Sequence, residues 1–276
     1  MTAHIRILTP SGWQQAPYSA ESLADAAQYE PHDGVYTITN THNTTQALRL
    51  DAHLDRLEDS AARANIPLKL DRPRLRAALR QLIVEAGFPE SRFRITVPKS
   101  APDQFILTVE PYTPPSDAII DSGIAVITVP NSARPNASAK TTDWMHDRRT
   151  IESALPQGVY TALLCDAEGY ILEGLSSNFY AILAGELRTA GQGVLPGIAQ
   201  QIVLEIAPQV LPVRRDALHL RELPQVDEAF ITSSSRGIIP VVRIDSYVLS
   251  EGAPGTRTRA LRQAYLEWSA AHLEEI

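Results

Sequence analysis

The run Glu173-Gly174-Leu175-Ser176-Ser177-Asn178 closes a stretch that opens at Lys140, and the reading of the whole chain turns on it. Between the two lie a polar break, a helical segment and a hairpin, Tyr160–Cys165 with Tyr170–Leu172 around Asp166-Ala167-Glu168-Gly169. Lys140 is one of only three lysines, with Lys69 and Lys99, among 25 basic residues. Arginine stays protonated in proteins, so chemistry that needs a neutral amine falls to one of these three. Lys140 follows the loop-like run Asn131-Ser132-Ala133-Arg134-Pro135-Asn136-Ala137-Ser138-Ala139, which suits one wall of a site. Alone, neither residue decides anything, since most lysines and most glutamates at strand ends are solvated.

Composition narrows the classes before any motif does. The chain has 276 residues with 44% apolar and 21% charged side chains, ordinary for a globular protein with a sizeable core. A net charge of −7 argues against non-specific nucleic-acid binding, which needs a basic surface. No apolar run approaches the ~18 residues of a membrane span. The start, Met1-Thr2-Ala3-His4-Ile5-Arg6, lacks the apolar core of a signal peptide, and Cys165 is the only cysteine. The expectation is a cytoplasmic protein without an internal disulfide. There is no GxGxxG, Walker, HExxH or GxSxG motif, and the seven histidines show no ligand spacing, so no metal is expected.

Periodicity lays out the order of elements. Strands are expected at His4–Leu8, in the β-branched run after Asp33-Gly34, and at Ala47–Leu50. A helix from about Asp51 to Ala64 carries Leu54, Leu57, Ala61 and Ala64 on one face. A second starts at Asp71-Arg72-Pro73, carries Leu75, Leu79, Leu82 and Ala86, and stops at Gly87. Strands Arg92–Val97 and Phe105–Glu110 lead to a Pro114-Pro115 linker over Pro111 to Asp117. The second half reads as a strand at Ile124–Val129, a helix from Asp147 to about Leu155, and the hairpin quoted above. Then come a hairpin at Phe179–Leu183 and Leu187–Thr189, a helix from Gly197 to Ile206, strands at Glu228–Thr232 and Ile238–Ile244, and a helix from Thr256 to Glu275. Strand pairs alternating with helices point to an α+β protein with mixed sheets. The domains are placed at residues 1–115, smaller, and 116–276, larger.

Lys140, Ala162-Leu163-Leu164, Asp166-Ala167-Glu168-Gly169 and Glu173-Gly174-x-Ser176-Ser177-Asn178 together resemble the core of the class IV aminotransferases. These are pyridoxal-phosphate enzymes of fold type IV, a group that includes branched-chain aminotransferases, D-amino-acid aminotransferases and aminodeoxychorismate lyases. The likeness runs from about Asp33 to Ile244, with His53-x-x-Arg56-Leu57 and Gly197-Ile198 in the family order. It implies a two-domain D-amino-acid-aminotransferase-like fold with the cofactor at the domain interface and Lys140 and Glu173 from the C-terminal domain. It also implies a homodimer whose partner subunit lends a loop to the site.

Residue by residue, the resemblance implies that Lys140 forms the Schiff base with pyridoxal 5'-phosphate and that Glu173 holds the ring nitrogen, with Ser177 and Asn178 beside it. Arg56 falls at the phosphate-contacting arginine. Gly197, Ile198 and Ala199 present backbone donors at a helix start, while the family's threonine hydroxyl is absent because the pattern here is Gly-Ile-Ala-Gln. Ser233 and Ser234 fall in the family's second phosphate loop. On the substrate side stand Tyr36, Thr37, where aminotransferases of the family often carry glutamate, and Lys99, a point charge where D-amino-acid enzymes place arginine. Each also has a plainer reading, as a strand, core or surface residue. The expected activity is transfer of an amino group between a branched-chain L- or D-amino acid and a 2-oxo acid. Thr37 keeps a second reading in view, a 4-amino-4-deoxychorismate lyase that releases pyruvate and 4-aminobenzoate. A non-catalytic member of the fold is the third.

Overall fold

The computed structural model describes residues 2–276. The chain divides into two compact units. The N-terminal unit takes the residues up to Thr113, then Ala139–Asp147 and His272–Ile276; the C-terminal unit takes Pro114–Ser138 and Arg148–Ala271.

The N-terminal unit begins with β1 (His4–Thr9), β2 (Gly12–Gln15) and the short α1 (Leu23–Ala26). There follow β3 (Gly34–His42), β4 (Gln46–Leu48), α2 (Leu50–Arg63), α3 (Arg72–Ala86), β5 (Ser91–Pro98) and β6 (Phe105–Pro111). The helices start and stop where local chemistry directs. Asp71 accepts from the Arg74 amide ahead of α3, Pro73 sits in its first turn, and Gly87 ends it at φ 70°, in the left-handed region that glycine reaches without strain. Leu50, Leu54, Leu57 and Ala61 of α2 and Leu75, Leu79 and Leu82 of α3 bury against Phe93, Ile95, Val97, Leu107 and Val109 of the sheet. Each such large side chain taken fully from water contributes roughly 1.5–3 kcal/mol.

In the C-terminal unit, α4 (Asp117–Ser122) precedes β7 (Ile124–Val129). Helix α5 (Thr142–Ser153) has its first half in the N-terminal unit and the rest in this one. Next come β8 (Thr161–Cys165), β9 (Tyr170–Gly174), β10 (Ser177–Leu183), β11 (Glu186–Arg188) and α6 (Ile198–Ile206). The remaining strands are β12 (Val213–Arg214), β13 (Leu218–His219), β14 (Glu228–Ser233), β15 (Gly237–Ile244) and β16 (Tyr247–Val248), followed by α7 (Thr256–Ala271). The last strand, β17 (Leu273–Glu275), returns to the N-terminal unit.

The N-terminal sheet is antiparallel throughout, in the order β17-β4-β3-β5-β6-β1-β2. The ten-stranded sheet of the C-terminal unit is mixed, with β7 parallel to both β15 and β8. A pairing of β9 with β10 closes β10-β14-β15-β7-β8-β9 into a ring. Phe179, Ala181, Ile231, Ile239, Val241 and Leu163 fill its core.

Several boundaries differ from the sequence reading for identifiable reasons. A short helix not expected from the sequence, α4, begins where the linker ends, because Ser116 after the proline pair caps it by accepting from the Ile119 amide. Helix α5 starts at Thr142 rather than Asp147, with Asp143 in its first turn. The last helix stops at Ala271, and the glutamates after it form β17, whose Leu273 pairs with Leu48. Lys140 was expected in the C-terminal domain; its contacts place it in the N-terminal unit.

Candidate active site

In the N-terminal unit the site is organised by β3 and α2. Helix α2 buries a polar stripe, His53, Arg56 and Ser60, beside its leucine stripe. The spacing i, i+3, i+7 keeps the three on one face. Ser60 Oγ accepts from the Lys140 amide at 3.0 Å, and the Lys140 carbonyl accepts from the Tyr36 amide at 3.0 Å. An antiparallel bridge between Val35 and Thr141 continues this pairing. Lys140 is thus laid along β3, with Nζ 4.6 Å from the centre of the Tyr36 ring.

Arg56, 7% exposed, donates from Nη2 to Thr37 Oγ1 at 3.3 Å and to His53 Nδ1 at 3.5 Å. Thr37 Oγ1 lies 2.8 Å from the same Nδ1. Arginine only donates, so Nδ1 accepts and the neutral imidazole carries its proton on Nε2. Neither that Nε2 nor Arg56 Nε has a partner, and among the described residues no carboxylate pairs with Arg56. A buried cation bonded only to neutral groups lacks an anion. Its desolvation pushes the Arg56 pKa down to about 10.

Burial first, then Arg56 and Lys140, hold the His53 pKa well below 6.5. The unfolded chain takes up this proton near pH 6.5 and the folded chain does not. Stability therefore falls as pH drops below that point, by up to about 1.4 kcal/mol per pH unit. In His53→Gln this contribution disappears, and urea midpoints at pH 7.5 and 5.5 are expected to differ less than in the parent. An identical pH dependence in both proteins contradicts the assignment.

In the C-terminal unit the β9–β10 hairpin carries the motif. Register sets Glu173 opposite Asn178, and Asn178 opposite Thr232, so the three lie in a row across β9, β10 and β14. Gly174 lets Ser177 Oγ approach closely, since a Cβ there would push that hydroxyl aside. Glu173, 4% exposed, receives Arg134 Nε at 2.8 Å and Nη2 at 2.6 Å on Oε1, and the Leu195 amide at 3.1 Å on Oε2. Arg134 Nη2 also donates to the Ala137 carbonyl at 2.7 Å, which fixes the loop before Lys140.

Asn178 Nδ2 donates to the Leu195 carbonyl at 2.9 Å, and a Cβ on Gly197 would stand 2.1 Å from Asn178 Oδ1. No side chain caps α6, whose first turn holds Ile198 and Ala199, both buried. The leading amides of a helix have no partners within it, so this start presents donors to an anion. Ser177 Oγ is buried without a partner. Ser233 and Ser234 are half-buried where β14 ends.

Of the residues singled out in the sequence, Lys140, Tyr36, Thr37 and Arg56 come together in one unit. Glu173, Ser177, Asn178, Gly197, Ile198 and Ala199 come together in the other, with Ser233 and Ser234 following Thr232 in the same row of strands. Lys99 stands at an exposed turn, its Nζ 3.7 Å from Asp33. The sequence reading passed over Arg134, which sits inside the loop quoted before Lys140, and Arg236, which follows the serine run.

A family model described as amino-transferase class IV matches residues 34–244. The chain belongs to this family. Class IV aminotransferases use pyridoxal phosphate. This aminotransferase is 26% identical over 250 residues to a putative branched-chain-amino-acid aminotransferase of Methanocaldococcus jannaschii, covering 84% of this chain and 86% of that one. It is 28% identical to a D-alanine aminotransferase of Bacillus licheniformis, covering 86% and 87%. Among solved structures, a T.th. branched-chain amino acid aminotransferase with pyridoxamine 5'-phosphate superposes with a TM-score of 0.82 at 20% identity, over 98% of both chains. A putative branched-chain enzyme from Thermotoga maritima gives 0.77 at 24%, over 96% of both. These likenesses show the fold-type-IV architecture, and mixed sheets with helices make it up. Among the described residues no helix is long and apolar enough to cross a membrane, and no cluster of side chains suits a metal ion.

Proposed function

We propose that this aminotransferase moves the amino group of a branched-chain L-amino acid or of a D-amino acid to a 2-oxo acid, with Lys140 as its catalytic amine. The observation that carries the residue assignments is the buried Arg56 guanidinium, which has only neutral partners and an unpartnered Nε, on the helix face whose Ser60 holds the Lys140 amide. A phosphate ester answers that need. The unpartnered Ser177 hydroxyl and the uncapped start of α6 also fit pyridoxal phosphate.

When bound, pyridoxal phosphate supplies an electron sink for the charge left at the substrate α-carbon. Lys140 Nζ would hold the cofactor through its aldehyde and, as a free neutral amine, would be the base that accepts the substrate α-proton. Glu173 is the carboxylate for the ring nitrogen, kept in one orientation by Arg134 and the Leu195 amide. Arg56, the backbone of Gly197 to Ala199, Ser233 and Ser234 are the phosphate ligands, and Asn178 braces the approach to Gly197. Tyr36, its ring beside Lys140 Nζ, lines the substrate side, while Thr37, fully buried, bonds His53 and Arg56 instead; Lys99 offers an exposed point charge to a carboxylate. A homodimer and a cytoplasmic setting belong to the same reading. Family likeness supports the first, and the single buried Cys165 is in keeping with the second.

The test is a single turnover. Cofactor-loaded protein is mixed with L- and D-amino acids one at a time, and the 2-oxo acid is measured. One stereochemical series is expected to yield 2-oxo acid in an amount equal to the bound cofactor. No release from any member overturns the substrate reading, and pyruvate with 4-aminobenzoate from aminodeoxychorismate replaces it by the lyase.

A further inference from the structure

Arg236 follows the serine run and turns back toward the β9–β10 hairpin. Its Nε donates to Ser233 Oγ at 2.8 Å, and its Nη2 to Ser176 Oγ at 3.0 Å and to the Ser176 carbonyl at 3.1 Å. Nη1 reaches Tyr160 Oη at 3.3 Å, with the guanidinium carbon 5.8 Å from the centre of that ring. Every one of these partners is neutral. Among the described residues no carboxylate pairs with Arg236.

The edge formed by Nε and Nη2 is the one that takes a carboxylate bidentately elsewhere. Here two serine oxygens stand in place of that carboxylate. Because arginine cannot accept, both oxygens act as acceptors toward it, and each hydroxyl proton remains to be donated outward. Neither proton meets an acceptor among the described residues. A hydroxyl that accepts from a cation is polarised and becomes a stronger donor. Ser176 and Ser233 are both half-buried, and ladder register keeps their segments adjacent, with Asn178 opposite Thr232.

We infer that Arg236 aligns the Ser176 and Ser233 hydroxyls as a paired receptor for an oxyanion. The anion is the cofactor phosphate, to which Ser233 is assigned above; capture of the substrate carboxylate instead is the competing outcome of the test. Arg236 is a positioning residue here, acting through the two hydroxyls. This inference rests on the proposed pyridoxal-phosphate chemistry, in which the lost threonine hydroxyl at Ala199 leaves an anion short of one donor.

The test uses the whole protein and the double variant Ser176→Ala/Ser233→Ala. Apoprotein is titrated with pyridoxal phosphate and with pyridoxal, and loaded protein with isovalerate, following tryptophan fluorescence. If the anion is the phosphate, the double variant loses roughly tenfold or more in affinity for pyridoxal phosphate and nothing for pyridoxal. If it is the substrate carboxylate, both cofactor affinities hold and the isovalerate constant rises by a similar factor. Arg236→Gln is expected to reproduce whichever loss occurs, and Arg236→Lys not to restore it, since a point charge lacks the fork. Should Arg236→Gln fail to fold, the serine variant decides alone. Unchanged constants for all three probes overturn the receptor. A parent protein that takes up no pyridoxal phosphate overturns the underlying reading instead.

Discussion

Replacing Lys140 by alanine is expected to lower turnover by at least roughly 10⁴-fold while leaving the fold intact. The two expectations separate because backbone and side chain do different work at this residue. The amide and carbonyl carry the structural bonds, to Ser60 Oγ and from the Tyr36 amide, and alanine keeps both. What alanine removes is Nζ, the only amine in that segment. No substitute is at hand, since Lys69 is remote in sequence and Lys99 stands on an exposed turn beside Asp33. Single-turnover release of 2-oxo acid measures the loss, and the melting temperature measures the fold. A rate within tenfold of the parent removes Lys140 from the chemistry. A collapse in melting temperature shows instead that its stem matters for packing.

The largest effect on stability is expected at Arg94, in the N-terminal unit. Its side chain is 4% exposed and that of Glu30 fully buried. Arg94 Nε and Nη2 both bond Glu30 Oε1, and Nη1 reaches the Leu23 carbonyl at 2.8 Å. Thr96 Oγ1 donates to Glu30 Oε2 at 2.6 Å, and Thr108 Oγ1 of β6 donates to Oε1 at 3.5 Å. This assembly ties the segment before β3 to strands β5 and β6, and it also accounts for Arg94, whose guanidinium is committed to Glu30. Arg94→Leu strands a carboxylate without water or a cation, which costs about 3–5 kcal/mol. At the usual entropy of unfolding, that lowers the melting temperature by roughly 10 °C. Adding Glu30→Leu to Arg94→Leu is expected to recover most of it, because an apolar pair needs no solvation. Urea unfolding of the two variants checks both statements, and a single variant within 1 kcal/mol of the parent contradicts the first.

Legibility in the sequence followed the range of the interaction. Helices α2, α3 and α6 were readable because their apolar stripes and their Asp71, Gly87 and Gly197 boundaries are local features. Helix α4 was hidden by the proline pair before it, since a cap at Ser116 counts for less in a sequence than Pro114 and Pro115. The strand β17 was hidden by Glu274 and Glu275, which favour helix until Leu48 offers an edge to pair with. Lys140, Glu173 and Arg56 were singled out through the family resemblance that their motifs carry. Arg134 was not, because an arginine in a loop does not announce a carboxylate 39 residues away. Arg236 escaped for a related reason. A serine run suggests phosphate contacts through its own hydroxyls, and nothing in it shows that a neighbouring guanidinium orients them.

The return of the last residues to the first sheet sets the order in which this protein can be made. Strand β17 pairs with β4, and the Ile276 amide donates to the Thr45 carbonyl. The N-terminal unit also takes in Ala139–Asp147. Its sheet therefore keeps an open edge at β4 until residues 273–276 have been made and can pair there. Until then the exposed edge at β4 is a place for a chaperone, or for a neighbouring nascent chain, to sit.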